Sequence, residues 1–496
     1  MNVLVLEHPR IPSEKHFNDI ANTPLWSCLL AGYVAASIQS CDYAVELLDA
    51  KECGYDFDQT AIEIVHRSPE LLCVHAVYFW EHTFALFEFL SSLRKLRFKG
   101  HINLFGFLPT LAYSVLLENI SAVDSIAVGE CEHTLAGLAV RLELGISWRE
   151  IPGLASRDDR GIAVYLHSKR IPEPNPDVFP PPLRNFSSSG SAGILGSRGC
   201  YNHCRFCTIP AFYNNGPLWR GRAPEEIVNE IVDLKSEGIT DFYFLDPNFI
   251  GPGRKGKERI RKLCCLLKPL GITFGMETRS NDLDPGLLID LRNAGLESLL
   301  IGVESGSYRV LGELDKHGSI AVSESAIAMC RAAGLEPEVG FLMFVPDSHV
   351  EDLVENFKFL KRNALLDRLD RTVNLLSHRQ IVFMGMSGYR KFKSQGRIAG
   401  AGPLGIHAEV CWADSKVGWM AEIIGYACLL VLRESGDEES SLYFKNDYGS
   451  RLCRQVNDYL VELFESCLEV VKKNDKTFDL SGMKDQIRKE FQAISA

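Results

Sequence analysis

Twice along this chain, short apolar runs alternate with amphipathic helical stretches, and a proline-rich segment divides the two series. Such alternation implies β–α–β units, and hence parallel sheets covered by helices. In the first series the strand-like runs are Val3–Leu6, Ala44–Leu48, Leu71–Val77, Ile102–Phe105 and Ser125–Val128. Helical stretches fall at Leu25–Ser40, Asp58–His66, Thr83–Leu96, Leu111–Asn119 and Thr134–Leu144. Sheets of this build hold ligands beyond the carboxyl ends of their strands. A site in this half is therefore expected in the loops Glu7–Thr23, Tyr78–His82, Gly106–Thr110 and Gly129–Thr134. No G-x-G-x-x-G follows the first strand, so a dinucleotide is not expected there.

The divider, Ile171–Leu183, reads IPEPNPDVFPPPL and holds six prolines. Fixed φ angles make it an extended spacer, not a helix or an inner strand. The chain thus reads as a first α/β domain over residues 1–150, a linker over 151–190, a second βα domain over 191–390 and a helical C-terminal region over 391–496. The second series has strand-like runs at Ala192–Leu195, Phe242–Leu245, Thr273–Met276, Ser298–Gly302, Val339–Phe344 and Arg371–Leu375. Its helices are expected at Pro224–Ser236, Glu258–Leu267, Pro285–Asn293, Val322–Ala332 and Val350–Arg362. Pro224, with Glu225 and Glu226 behind it, makes a favourable helix start. Six βα units suit an open, partial (β/α)6 barrel with its chemistry at the carboxyl ends of the strands. After Gly400 the pattern turns helical, at Lys416–Glu434, Arg451–Lys473 and Gly482–Ala493, with a turn at Thr477–Gly482. These helices are expected to cap the barrel mouth.

The first strand of the second series runs into GSRGCYNHCRFCTIP, Gly196–Pro210, which places Cys200, Cys204 and Cys207 in a C-x3-C-x2-C array. Three thiolates on one loop can bind three irons of a [4Fe–4S] cube and leave the fourth iron open to a small molecule. A chance cluster of free thiols is the alternative, and the strand leading directly into the loop argues against it. Zinc suits the array less well, since no fourth Cys or His stands at zinc spacing; His203, inside the array, is read as pointing elsewhere. The remaining cysteines are scattered among the fifteen, and Cys411, Cys428, Cys453 and Cys467 are too widely spaced for a second array.

Net charge of −11 argues against a large nucleic-acid surface. No apolar run approaches bilayer-spanning length and Met1 opens directly into VLVL, so neither a membrane anchor nor a signal peptide is expected. Without a secretory signal the cysteines read as reduced thiols of a cytoplasmic protein.

The C-x3-C-x2-C array, with Phe206 before its last cysteine, resembles the signature of the radical S-adenosylmethionine (SAM) enzymes. The resemblance implies that the open iron chelates the amine and carboxylate of SAM. It also implies that the reduced cluster cleaves SAM to a 5′-deoxyadenosyl radical, with an electron from a donor such as flavodoxin or ferredoxin. Several strand ends resemble the SAM-contacting positions of that family: Asp246-Pro247-Asn248, Glu277-Thr278-Arg279, Gly302 to Gly306 and Pro346-Asp347-Ser348. Phe206, Arg279, Gly302, Glu304 and Ser305 are the SAM contacts so implied, Arg279 for the carboxylate and Glu304 and Ser305 for the ribose or amino group. Each also reads as a solvated strand end or an internal ion pair. Arg220 and Arg222 are read as structural ion-pair residues in preference to phosphate or carboxylate ligands.

The first series resembles the cobalamin-binding domain that precedes the cluster in one large class of radical SAM proteins. The matching pieces are TPLWSCLLAGYVAAS (Thr23–Ser37), LLDA (Leu47–Ala50), GFLPT (Gly106–Thr110) and VGECEHT (Val128–Thr134), in order ahead of the cysteine array. Ile151–Ala155 resembles that domain's closing strand, and LWRGRAPEEIVNEI (Leu218–Ile231) also matches the class. A Rossmann-like, flavodoxin-like fold is implied, with cobalamin contacts at Tyr78, Trp80, Gly106, Pro109, Thr110, Gly129, Glu130 and Thr134. The D-x-H-x-x-G motif is absent; Asp347-Ser348-His349 lacks the glycine and lies in the wrong domain. No protein histidine is therefore expected on the lower face of cobalt. Tyr78-Phe79-Trp80 either covers that face or forms three core aromatics, and His75 reads as a core residue. The chain departs from the family at Phe105-Gly106-Phe107, at Cys131, at Val345-Pro346-Asp347-Ser348 and at MGMSGY, Met384–Tyr389.

The activity implied is that of a cobalamin-dependent radical SAM enzyme, methylating an unreactive carbon of a small metabolite or natural-product intermediate. Two alternatives stand beside it: an enzyme of the same build that rearranges, oxidises or cyclises its substrate, and a non-enzymatic corrinoid or iron–sulfur binding protein. The tRNA methylthiotransferases carry a three-cysteine cluster site in their first domain, and this chain shows none there.

Overall fold

The computed structural model describes residues 1–10, 29–165, 171–185, 190–213, 218–443, 450–473 and 479–495. Most of the loop expected after the first strand, the start of the Thr23–Ser37 match, parts of the linker and part of the Thr477–Gly482 turn lie outside them. The chain divides into two units. The first comprises Met1–Met276, Asp290–Glu297 and Val382–Glu409; the second comprises Glu277–Ile289, Ser298–Ile381 and Val410–Ala496.

The first 165 residues form β1 (Asn2–Glu7), α1 (Leu29–Gln39), β2 (Ala44–Asp49), α2 (Phe57–Arg67), β3 (Leu71–His75), α3 (Thr83–Lys95), β4 (His101–Phe105), α4 (Phe107–Asn119), β5 (Ser125–Ala127), α5 (Glu132–Glu143), β6 (Leu154–Arg157) and β7 (Ala163–Val164). The sheet order is β2-β1-β3-β4-β5-β6-β7. The first five strands are parallel, and β6 and β7 close the edge antiparallel. The run 2-1-3-4-5 is the flavodoxin-like order, whose reversal lies between β1 and β3. Val3, Val5, Leu71, Cys73, Phe105 and Ala127 form one core with Ala31, Val34, Ile38, Leu135 and Leu138 of α1 and α5. Leu4 and Leu6, at most 1% exposed, point to the other face, so β1 is apolar on both sides, as a central parallel strand must be. α4 starts at Phe107, four residues before the expected Leu111, because Gly106 at φ +108° turns the chain into the helix directly from β4.

The chain continues through β8 (Ser191–Ile194), β9 (Ser197–Arg198), α6 (Ile209–Phe212), β10 (Arg220–Gly221), α7 (Pro224–Ser236), β11 (Asp241–Phe244), α8 (Gly253–Leu267), β12 (Thr273–Arg279), α9 (Pro285–Asn293), β13 (Leu296–Glu304), α10 (Tyr308–Glu313), α11 (Ile320–Ala332), β14 (Glu338–Phe341) and α12 (Val350–Arg362). It ends with α13 (Leu369–Ser377), α14 (Ser387–Ser394), β15 (Ile398–Ala401), β16 (Ala408–Val410), α15 (Ser415–Gly436), α16 (Arg451–Lys473) and α17 (Leu480–Ser495). A second sheet has the order β14-β13-β12-β11-β8, and the unit division falls within β12 and β13. Pro224 opens α7 as expected, with Glu225 and Glu226 in its first turn.

Three expectations need correction. Arg371–Leu375, expected as the sixth barrel strand, lies within α13. Its apolar residues Leu369, Val373 and Leu376 follow helical spacing and are buried, and that period prevails over the strand-like alternation of Val373 and Leu375. The sixth parallel partner is a single bridge between Phe344 and Arg379. The region after Gly400 does not turn helical at once, since β15 and β16 pair across a Gly402–Gly405 turn before α15 begins. Finally, α15 is long and apolar enough, by length and composition, to cross a membrane. In the fold, its Trp419, Met420, Ile423, Ile424 and Cys428 are buried, and α13, α16 and α17 pack around it.

Candidate functional site

β8 delivers the chain into the cysteine loop at the carboxyl end of the second sheet. Cys204 is buried, while Cys200 and Cys207 are half-buried, as is Phe206. Among the described residues, no three His, Cys, Asp or Glu side chains converge as a single metal ion would need. A cube asks for something else: one thiolate at each of three corner irons, and three soft sulfur donors on one loop fit that demand. Asn202 Nδ2 donates to Cys204 Sγ at 3.0 Å, the kind of outer bond that orients a ligating sulfur. The loop is tied on both sides. At its base Gly196 N–H donates to Asp246 Oδ2 at 2.9 Å. On its far side Gly388 N–H, in α14, donates to Arg205 O at 3.1 Å.

Asp246, two residues beyond β11, is fully buried. Burial pushes its carboxyl up from 3.8 to about 6, with Ser197, the Gly196 N–H and the nearby Arg259 charge offsetting part of the rise.

β9 and β10 form a two-stranded antiparallel ribbon flanking the loop, with Arg198 opposite Arg220. Both guanidiniums are buried and both reach the turn after β5. Glu130 accepts from Arg220 through both oxygens, at 3.1 and 3.0 Å, and from Arg198 at 3.2 Å; Glu132 accepts from Arg198 at 2.5 Å. Arg198 also stacks on Tyr33 and Phe179, 4.7 and 4.2 Å from their ring centres. Burial opposes ionisation of Glu130, but Arg198 and Arg220 outweigh it and hold the carboxyl below its usual range. Arg222 pairs with Glu230 at 2.5 Å and with Asp177 at 3.4 Å. Arg220 and Arg222 are therefore ion-pair residues, as the sequence suggests.

At the carboxyl edge of the first sheet, Gly106, Pro109 and Thr110 follow β4, Gly129 and Glu130 follow β5, and Tyr78 and Trp80 follow β3. Gly129 N–H donates to Thr110 Oγ1 at 2.9 Å, and Thr110 Oγ1 donates to Gly106 O at 2.7 Å. A Cβ on Gly106 would lie 2.6 Å from the His75 ring, and one on Gly129 would lie 2.7 Å from Phe212 O. Both glycines are thus approached closely by protein. Thr134 Oγ1 donates to Pro152 O. Placement at the strand-end edge suits a large ligand; the polar groups of Thr110, Glu130 and Thr134 make their observed bonds to protein. Tyr78, Phe79 and Trp80 are all buried, and Phe383 and His407 lie against Tyr78 and Trp80, with Trp80 4.5 Å from the His407 ring centre. His75, 5% exposed, pairs with Glu7, which also holds Arg10, and burial lowers His75 to about 3, so it is a neutral core residue.

In the second unit, Arg279, Gly302 and Glu304 gather around Lys316. Lys316 Nζ lies 2.7 Å from Glu304 Oε1, and its carbonyl accepts from Arg279 at 2.7 Å. A Cβ on Gly302 would touch both members of the Glu304–Lys316 pair at 2.8 Å. Ser305 Oγ donates to Asn356 Oδ1 at 2.7 Å. Sequence reasoning named Asp246 among the strand-end residues but singled out none of Asn202, Arg198, Glu132 and Lys316. Arg198 adjoins the array in S-R-G-C, which is a signal; its partners stand 66 and 68 residues away, and nothing local names them.

Residues 194–360 match the model of the Radical SAM superfamily. An uncharacterized methyltransferase of Pyrococcus horikoshii is 23% identical over 375 residues, covering 73% of this chain and 78% of its own. The cobalamin-dependent S-adenosylmethionine radical enzyme OxsB, with aqua-cobalamin bound, superposes with a TM-score of 0.75 at 18% identity, over 99% of this chain and 75% of its own. The radical S-adenosylmethionine methyltransferase TsrM from Kitasatospora setae superposes with a TM-score of 0.68 at 18% identity, over all of both chains. Residues 194–360 thus carry a radical SAM domain, and the chain has the fold of the cobalamin-dependent radical SAM enzymes.

Two expectations follow. Gly106→Ala should lower stability by about 1–3 kcal/mol, since it strains φ at +108° and drives a methyl group into His75; the fall in Tm against wild type checks it. Asp246 has a folded-state carboxyl raised from 3.8 to about 6. Its contribution is therefore whole below pH 4 and is lost as pH rises to about 6, by up to about 3 kcal/mol. Asp246→Asn should gain on wild type in Tm across that window and run parallel to it above pH 7. A constant gap from pH 4.5 to 7.5 would refute the assignment.

Proposed function

We propose that this protein is a cobalamin-dependent radical SAM methyltransferase acting on an unreactive carbon of a small metabolite or natural-product intermediate. The observation that carries the reading is the three-thiol loop Cys200–Cys207 at the carboxyl end of one parallel sheet, in a chain whose other sheet has the 2-1-3-4-5 order. When bound, the cluster would supply the electron that splits SAM, SAM the radical and the methyl group, and cobalamin the relay for that methyl group.

The chain's own part is binding and placement. Cys200, Cys204 and Cys207 would hold three irons, with Asn202 bonded to the Cys204 sulfur. Phe206, Arg279, Gly302, Glu304 and Ser305 are the proposed SAM contacts, with the Glu304–Lys316 pair fixing the acid that would receive the ribose or amino group. Tyr78 and Trp80, with Gly106, Pro109, Thr110, Gly129, Glu130 and Thr134, are the proposed border of the cobalamin site. Of these, Glu130 is already committed to two arginines and is expected to act through its neighbours, not by direct contact. Tyr78 and Trp80 offer aromatic bulk where no histidine is expected to reach cobalt.

Cys204→Ala should abolish 5′-deoxyadenosine formation from SAM under strong reductant, and the cluster's broad absorption should fall with it. Intact turnover in that variant would sink the cluster assignment. Anaerobically reconstituted protein, mixed with hydroxocobalamin and desalted, should retain corrinoid bands near one equivalent. A methyltransferase then forms S-adenosylhomocysteine alongside 5′-deoxyadenosine when given its substrate; 5′-deoxyadenosine alone would point to an enzyme of the same build that does not methylate.

A further inference from the structure

Arg198, Arg220, Glu130 and Glu132 are 4%, 8%, 6% and 0% exposed. Two cations and two anions make a set of zero net charge, closed by the Glu130–Arg220, Glu130–Arg198 and Glu132–Arg198 contacts. Around it stand Tyr33 and Phe179 against Arg198, Tyr213 against Arg220 and the backbone carbonyl of Glu173, which accepts from Arg220. Arg222 and Arg184 pair with Glu230, and Arg222 also pairs with Asp177.

Such a set is a poor source of stability. Desolvating four charges costs about as much as their attraction returns, and apolar residues of equal volume would often serve as well. Its position suggests another use. Arg198 precedes Cys200 by two residues, so their Cα atoms are at most about 7 Å apart. Arg220 faces Arg198 across the ribbon. Buried charges are little screened by salt, and the potential of an iron–sulfur cluster depends on the net charge around it and on its exposure.

We propose that this neutral quartet sets the reduction potential of the cluster: Glu130 and Glu132 cancel two arginine charges carried by the ribbon that leads into the cysteine loop, charges that would otherwise draw the potential upward. The inference rests on the radical SAM reading above, in which the oxidised [4Fe–4S]2+ cube takes one electron to become [4Fe–4S]1+ and must remain a strong reductant. Cancelling the arginine charges favours the oxidised form and keeps that reducing power. Retaining the arginines keeps the ribbon anchored to the turn after β5.

The test is an anaerobic redox titration of the full-length, reconstituted protein, poised with a low-potential reductant and followed by the EPR signal of the reduced cluster. Glu130→Gln keeps shape and loses one negative charge, so the midpoint should move to more positive potential at unchanged iron and sulfide content. Glu130→Gln with Arg220→Gln restores neutrality around the retained Arg198–Glu132 pair, and the midpoint should return to the wild-type value. A merely structural role predicts the opposite order, with the double variant no closer to wild type than the single one. An unmoved midpoint in a fully loaded Glu130→Gln protein, or a double variant that stays shifted, overturns the inference while leaving the radical SAM reading intact. If Glu130→Gln does not fold, Glu132→Gln should shift the midpoint in the same direction. Wild-type protein that takes up no cluster would overturn the functional reading, and this inference with it.

Discussion

A buried arginine needs a carboxylate, and Arg198 finds two of them more than sixty residues back along the chain. Breaking such a pair by removing one partner costs about 3–5 kcal/mol, because the other charge is left buried alone. The cysteine loop therefore does not float between two sheets. Its ribbon is bound through Arg198 and Arg220 to the turn that ends β5. Its exit helix α6 packs Phe212 against Phe107 at 4.3 Å and against Gly129. A loop with little regular structure of its own thus becomes fixed at the carboxyl edge of the first sheet, the edge at which parallel sheets bind ligands.

Strain appears where the architecture leads one to look for it. Trp80 and Glu304 both sit at positive φ, +48° and +70°, where side chains other than glycine are costly. Trp80 follows β3 and is held by Tyr78, Phe383 and His407. Glu304 ends β13 and is held by Lys316. In each case contacts from distant segments maintain a backbone conformation that the local sequence would not choose. Both residues stand at strand ends proposed to meet a cofactor.

Much of the fold was legible because parallel strands buried on both faces must be almost wholly apolar, as VLVL and LLCVH are, and the helices between them must be amphipathic. The sixth strand failed for the same reason that the others succeeded. Val373 and Leu375 alternate as a strand would, and only the burial of Leu369, Val373 and Leu376 on one helical face decides between the two periods. At the candidate site the three-cysteine array could be read because the role proposed for it requires a fixed local spacing. The arginine partners of Glu130 could not, because the same acid in the same turn would serve a ligand or an arginine equally well.

The sequence by itself determined what short-range chemistry can encode: two βα series, a proline-rich segment between them, and three thiols on one loop after a strand. Tertiary structure alone decided the strand order, the partners of Arg198 and Arg220, the pairing of Lys316 with Glu304 and the internal use of Thr110, Gly106 and Gly129. The reason is physical. Periodicity and ligand spacing act over a few residues, whereas a buried charge or an open hydrogen-bonding group is satisfied by whatever the completed fold brings within about 3 Å of it, and no local pattern records that.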